Sequence, residues 1–229
     1  MSQRFDVNYH MIGEGLIPLI TDESGGPWVR TDTSAAGTPI MNYVSDVAGA
    51  NGVASVGLEA TSEVQNVCLS WGDILSLDID NLKYVEFLAR LSVAMGTTAV
   101  TTQLAFGLAS ERNDAIDTIA EAALFRALGA TAILVETDDG TVNNDDVATG
   151  ETLGTTFKRF GIEFSHGTSD VRFYMDDSNG FLTRVAATTT FDMSNYTGSL
   201  QPYAQVQKAA NTDLGAFQID RFSVAFKEP

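Results

Sequence analysis

The sequence predicts an all-β protein built as a sandwich or barrel, and three observations carry that expectation. From Gly52 to the C-terminus, short runs with apolar residues on alternate positions recur. Clusters of Gly, Pro, Asn, Asp and Ser separate them, as turns do between strands. Charged residues make up only 19% of the chain, below the usual quarter or so, while Thr, Ser, Ala and Gly are plentiful, a balance that favours strands and tight turns over long surface helices. At 229 residues and 44% hydrophobic content, the chain can bury a core in one large all-β domain.

Residues 1–50 are loop-rich: GEGLIPLI, ESGGPW and SAAGTPI carry Gly and Pro punctuation. We expect an N-terminal arm with the first strands here, a possible docking segment, and the sandwich proper over 51–229. ESGGPWVR reads as a turn leading into a strand, with Trp28 an aromatic anchor in the core.

Four strand-like runs follow: GVASVGLEA, EVQNVCLSWG, YVEFLARLSV and TQLAFGLAS. In the third, Val85, Phe87, Ala89 and Leu91 share one face while Glu86, Leu88 and Arg90 share the other, the period of two of an extended chain.

Residues 113–128 carry two conflicting periods. Ile116, Ile119, Ala120, Ala123, Ala127 and Leu128 fit a helical stripe, with Asn113 or Asp114 as N-cap and Gly129 as the stop. ALFRALGATAILVET also reads as two apolar runs hinged at residues 129–131, the pattern of a hairpin. We expect a short helical turn near 114–120, then strands near 122–127 and 131–137, so that the domain has at most one short helix.

Residues 155–229 are the most regular. Phe160, Ile162 and Phe164 alternate with Gly161, Glu163 and Ser165; HGTS makes a turn; Val171, Phe173 and Met175 form the next apolar face. DDSNG supplies a tight reversal. QPYAQVQ follows, and FQIDRFSVAF closes the chain with Phe222, Val224 and Phe226 on one side. This is an antiparallel meander with one buried face.

The net charge of −17 and the lack of a basic stripe exclude a nucleic-acid partner, since a phosphate backbone would be repelled. An acidic shell also serves solubility. Cys68 is the only cysteine, which rules out an intrachain disulfide or a cysteine zinc site; in NVCLSW it reads as a small buried hydrophobe. MSQRFDVNYH lacks the layout of a secretory signal, and no apolar run approaches the ~20 residues that cross a bilayer. We therefore expect no membrane partner and synthesis and folding in a cytoplasm.

Several of these runs occur together in a particular order: WGDILSL, YVEFLARLSV, FGLAS, FKRFGIEF, DVRFYMDD, TTTFDMS, LQPYAQVQKA and the terminal IDRFSV. From about residue 52 to the end, this succession resembles the concanavalin A-like jelly-roll proteins encoded by tailed bacteriophages, often among virion structural genes. The resemblance implies two packed antiparallel sheets, one of them curved. It leaves function open, because the architecture hosts glucanases, lectins and structural modules alike.

Laminarinase-type hydrolysis on this fold needs two carboxylates ~5 Å apart, and the pattern Glu-x-Asp-x-x-Glu is absent. Asp78 and Asp80 share one side of a short extended run but read as loop acids before YVEFLARL; Glu86 and Glu163 stand isolated. His10 and His166 have no G-x-S-x-G elbow or cysteine beside them. We expect no catalytic residue. TDDGTVNNDDVATG, residues 137–150, gathers Asp138, Asp139, Asn143, Asn144, Asp145 and Asp146, oxygen donors of the kind calcium prefers, though not in EF-hand spacing. Asp138, Asp139, Asn143, Asp145 and Asp146 are the candidate calcium ligands, and no other cofactor is expected; ordinary turns use the same residues. Trp28, Trp71, Tyr196 and Tyr203 are candidate sugar platforms, although such rings more often pack inside.

Together these features point to a non-enzymatic virion protein, a capsid decoration protein that binds the major capsid protein lattice and forms a homo-oligomer there, on the capsid surface after synthesis in the host cytoplasm. In this reading Phe5, Tyr9, Met11, Ile12, Leu16 and Ile17 of the arm are apolar anchors for capsid or subunit contact. The alternative is a carbohydrate-binding, lectin-like module on a phage head or tail fibre, with glycans as partners. A glycoside hydrolase of laminarinase type, using Asp78 or Asp80, stands third.

Overall fold

The computed structural model describes residues 6–10, 28–35, 39, 41–45, 52–74, 77–96, 101–129 and 131–227. Sixteen strands occur among them: β1 (Asp6–His10), β2 (Val29–Asp32), β3 (Met41–Ser45), β4 (Gly52–Leu58), β5 (Glu63–Ser70), β6 (Leu77–Asp78), β7 (Leu82–Val93), β8 (Gln103–Ala109), β9 (Glu121–Leu128), β10 (Ala132–Asp139), β11 (Asn143–Thr152), β12 (Lys158–Glu163), β13 (Arg172–Asp176), β14 (Leu182–Val185), β15 (Ser199–Asn211) and β16 (Gly215–Phe226). The helical content of the described residues is two single 3-10 turns, Ile116–Thr118 and Thr168–Asp170.

The strands form two antiparallel sheets of eight. The first runs β14-β13-β12-β7-β16-β4-β3, with β1 also paired to β16; the second runs β11-β10-β9-β8-β15-β5-β2, with β6 paired to β15. This is the two-sheet sandwich that the alternating runs predict. Sequence neighbours such as β12, β13 and β14 form meanders. The long strands β15 and β16 are central, and each bridges strands distant in sequence.

The core lies between the sheets. Phe87, Phe160, Phe173, Phe217 and Phe222 project from the first sheet, Phe106 and Phe125 from the second, and all are buried. Their rings interlock across the interface: Phe106 to Phe217 at 4.6 Å, Phe106 to Phe160 at 4.9 Å and Phe125 to Phe173 at 5.2 Å between centroids. The edge-on pairs, Phe106 with Phe160 and Phe125 with Phe173, add about 1 kcal/mol each beyond the area they bury. Trp28 meets Trp71 and Phe222 edge-on at 6.1 and 5.9 Å, which anchors β2 into the core.

Residues 113–128 resolve as a 3-10 turn followed by the β9–β10 hairpin. Ala123, Phe125 and Ala127 enter the core, while Ala122, Leu124 and Arg126 point to the opposite face of the sheet. Of the apparent helical stripe, Ile116 and Ile119 lie on the segment before β9, Ala123 and Ala127 face the core from β9, and Leu128 falls on its other face.

Tyr9 lies in β1, opposite Phe222 of β16 in register. The other arm anchors, Phe5, Met11, Ile12, Leu16 and Ile17, lie outside the described residues.

Candidate functional site

The site is the outer face of the second sheet, the side turned away from the core. Alternation places Asn66, Cys68 and Ser70 of β5 there, with Tyr203, Gln205 and Gln207 of β15, Gln103, Ala105 and Ala109 of β8, Leu124 and Arg126 of β9, and Glu136 of β10. Their alternate neighbours, among them Val67, Leu104, Val206, Phe125 and Val135, fill the core.

Half of this face is apolar and covered. Ile116 and Ile119, on the segment leading into β9, pack with Cys68, Ala105, Ala109, Ala122, Leu124 and Tyr203 in a second hydrophobic cluster. Polar contacts hold the segment down: Gln205 Nε2 donates to the Asn113 carbonyl at 3.0 Å, and Thr33 Oγ1 donates to Asp114 Oδ1 at 2.6 Å.

The other half is polar and centres on Arg126, which is only 1% exposed. Its Nη1 donates to Glu136 Oε2 at 2.5 Å and lies 3.4 Å from Asp146 and 3.6 Å from Asp145. Its Nη2 bonds Asp117 and donates to Gln103 Oε1 at 3.2 Å. Gln207 Nε2 also donates to Gln103 Oε1, at 3.4 Å, and Gln205 Nε2 donates to Gln207 Oε1 at 3.0 Å. A recess of about 20 Å³, water-sized, opens among Asp117, Arg126, Glu136, Asp138, Asn143 and Asp145.

The electrostatics follow from burial. Desolvation outweighs the attraction of Arg126 and, with Asp145 and Asp146 adding repulsion, pushes the Glu136 carboxyl up to about 7. Asp146 is raised for the same reason, burial first, with Arg126 opposing.

The candidate calcium ligands are divided by the fold. Asp138 borders the recess and accepts from the Gly140 amide at 2.8 Å. Asp139 serves a turn and a loop: it accepts from Thr141 and Val142 amides at 2.9 and 2.7 Å, and from Asn195 N and Nδ2 at 3.0 and 2.9 Å. Burial opposes its ionisation, but these bonds hold its carboxyl below the usual range. Asn143 lines the recess. Asp145 and Asp146 converge with Glu136, the carboxylate oxygens lying within 4.8 Å of one another. Those donors suit calcium in kind, yet the guanidinium of Arg126 already sits among them and offsets part of their charge from within.

Sequence reasoning missed Glu136 and Arg126. The signal was present: each is the lone charge pointing outward within an apolar run, EAALFRAL or AILVE.

The aromatic candidates need correction. Trp28 and Tyr203 are buried, Trp28 against Trp71 and Phe222, Tyr203 under the Ile116–Ile119 cover with its hydroxyl donated to Gln205 at 2.8 Å. Neither ring has a face to offer a sugar. Tyr196 is half-buried and donates to the Ser199 carbonyl at 2.8 Å. Asp78 caps the turn into β7, accepting from Asp80 N at 3.0 Å and Asn81 Nδ2 at 2.6 Å.

Glu86 and Glu163, isolated in the sequence, stand on adjacent strands of the first sheet, where Glu86 pairs with Gly161 and Glu163 with Tyr84. Arg221 and the Tyr84 hydroxyl bond Glu86 at 2.8 and 3.2 Å; the Ser165 and Tyr174 hydroxyls bond Glu163 at 2.6 and 2.7 Å. Burial of Glu163 is outweighed by these hydroxyls, so its carboxyl sits below the usual range and is no proton donor at neutral pH.

No protein-family model and no curated protein sequence matches the chain. Solved structures do. A protein of unknown function, SO2946 from Shewanella oneidensis MR-1, aligns over 98% of this chain and 87% of its own at 11% identity, with a TM-score of 0.58. Lectin UEA-II complexed with galactose aligns over 98% and 99% at 8% identity, with a TM-score of 0.60. The exoplasmic/lumenal domain of VIP36 in its Ca2+-bound form aligns over 91% and 87% at 6% identity, with a TM-score of 0.55. The chain therefore has the concanavalin A-like, legume-lectin jelly-roll fold.

Proposed function

We propose that the protein is a non-enzymatic carbohydrate-binding module whose site is the polar half of the second sheet's outer face. The observation that carries this reading is the pair of half-buried amides, Gln103 and Gln207, held from beneath by the buried Arg126 and Gln205 and edged by the exposed carboxylates of Asp117 and Asp145. Amides and carboxylates on one flat surface, held in place by one another, match the donor and acceptor pattern of sugar hydroxyls. The lectin neighbours, one of them complexed with galactose, agree with this use of the fold.

Glycoside hydrolysis is the competing use, since Glu136 and Asp145 approach closely and Glu136 is raised toward neutrality. It is disfavoured because Glu136 is 7% exposed, its Oε2 is occupied by Arg126, and the recess beside it is only water-sized, so a glycosidic oxygen has no access. A glycan array followed by calorimetry tests the proposal. Saturable binding to one sugar class should weaken about tenfold in Gln103→Ala and Gln207→Ala, the loss of about one net hydrogen bond. Absence of binding across the array, or release of reducing sugar from a polysaccharide, would refute it.

A second reading, capsid decoration, rests on the ordered run of motifs resembling phage virion proteins and on the net charge of −17. In it the chain sits on the capsid surface as a homo-oligomer bound to the major capsid protein. Co-sedimentation with assembled capsids is its test, and a decorated capsid whose added protein binds sugar would unite the two.

A further inference from the structure

We infer that Arg126 is a built-in counter-ion: it fills, from within the chain, the position a divalent cation would take among Glu136, Asp145 and Asp146, so that the site is complete without metal, and its removal turns the same carboxylates into a cation site. The inference is independent of what the outer face binds.

Three observations support it. The carboxylate oxygens of Glu136, Asp145 and Asp146 lie within 4.8 Å of one another, the span across an ion whose oxygen ligands stand about 2.4 Å away. Arg126 Nη1 is within reach of all three, at 2.5, 3.6 and 3.4 Å. The guanidinium is also pinned: Asp117 and Gln103 hold Nη2, and at 1% exposure the side chain is enclosed. A calcium ion entering this space would meet a fixed positive charge a few ångströms away. Asp117 and Asp145, whose side chains are 62% and 63% exposed, keep their excess negative charge in solvent, where it needs no second cation. Here the positive charge comes from Arg126 of β9.

Full-length protein is titrated with calcium chloride by calorimetry, and its thermal midpoint is measured in calcium and in chelator. Wild type should show no binding heat and no change in midpoint. Arg126→Gln should bind calcium and gain about 5 °C in calcium over chelator, a gain that Glu136→Gln in the same chain abolishes. Should Arg126→Gln not fold in chelator, calcium should restore its β-sheet circular dichroism. Arg126→Lys, which keeps a positive charge there, should remain insensitive. The inference is overturned if wild type is stabilised by calcium and Asp145→Asn with Asp146→Asn removes that stabilisation, or if Arg126→Gln neither binds calcium nor is rescued by it.

Discussion

Arg126 Nη1 lies 2.5 Å from Glu136 Oε2, with both side chains nearly shut off from water on the outer face of the second sheet. Breaking such a pair from one side leaves a buried charge without its partner, which typically costs about 3–5 kcal/mol. Arg126→Met should lower stability by that amount in urea denaturation. Adding Glu136→Leu to it should recover a large part, because the stranded charge is then gone. If the double variant is no more stable than Arg126→Met, the pair is not the source of the loss.

The same carboxyl sets a pH dependence. Glu136 titrates near 7 when folded, against 4.5 for an ordinary glutamate, because burial penalises its charged form more than Arg126 favours it. The folded protein therefore binds more protons than the unfolded chain between those values, and stability from this group rises as pH falls from about 7 toward 4.5. Asp139 and Glu163, held below the usual range, act oppositely: their contribution is lost as pH falls further. Denaturation midpoints should peak near pH 5. Glu136→Gln should flatten the slope between pH 5 and 8, and an unchanged slope would place the titration elsewhere.

Ile116 and Ile119 shield Cys68, whose thiol burial pushes up to about 12. In wild type a thiol reagent should label Cys68 only through unfolding. Ile116→Ala with Ile119→Ala should cost about 2–4 kcal/mol per site, and labelling in native buffer should accelerate by more than the stability loss alone produces. Labelling that tracks global stability in both proteins would mean the cover does not open locally.

The sandwich was legible in strands whose apolar residues alternate with others: Phe160, Ile162 and Phe164 are separated by Gly161 and Glu163, Phe173 and Met175 by Tyr174, and all five are buried. The signal blurs where both faces are dry. In EAALFRAL, residues 122–127 are all buried, since Ile116 and Ile119 cover the outer side, and that double burial produced the false helical period. The acidic segment 137–150 pointed to the neighbourhood of the site through composition alone. Its centre was hidden because Arg126 reaches Asp145 and Asp146 across β10, and because Gln103 meets Gln207 only through the non-local pairing of β8 with β15. Neither juxtaposition has a local sequence signature.

Two glycines separate an obstruction that yields from one that does not. Gly107, in the middle of β8 with φ of +149°, would direct a Cβ into the backbone carbonyl of Ala123 on the paired strand. That carbonyl belongs to the sheet ladder and has nowhere to go, and the backbone angle itself disfavours a side chain. Gly161 of β12 would direct its Cβ into the ring of Tyr84, 2.7 Å from Cε2, and a ring can pivot at the expense of its bond to Glu86. Gly107→Ala should therefore cost about 3 kcal/mol or more, whereas Gly161→Ala should cost about 1–2 kcal/mol. Tyr84→Ala should relieve the second and leave the first untouched, a coupling that a double-mutant cycle in urea reads directly. Equal losses at the two glycines, with no coupling between residues 84 and 161, would show that the sheet gives way as readily as the ring.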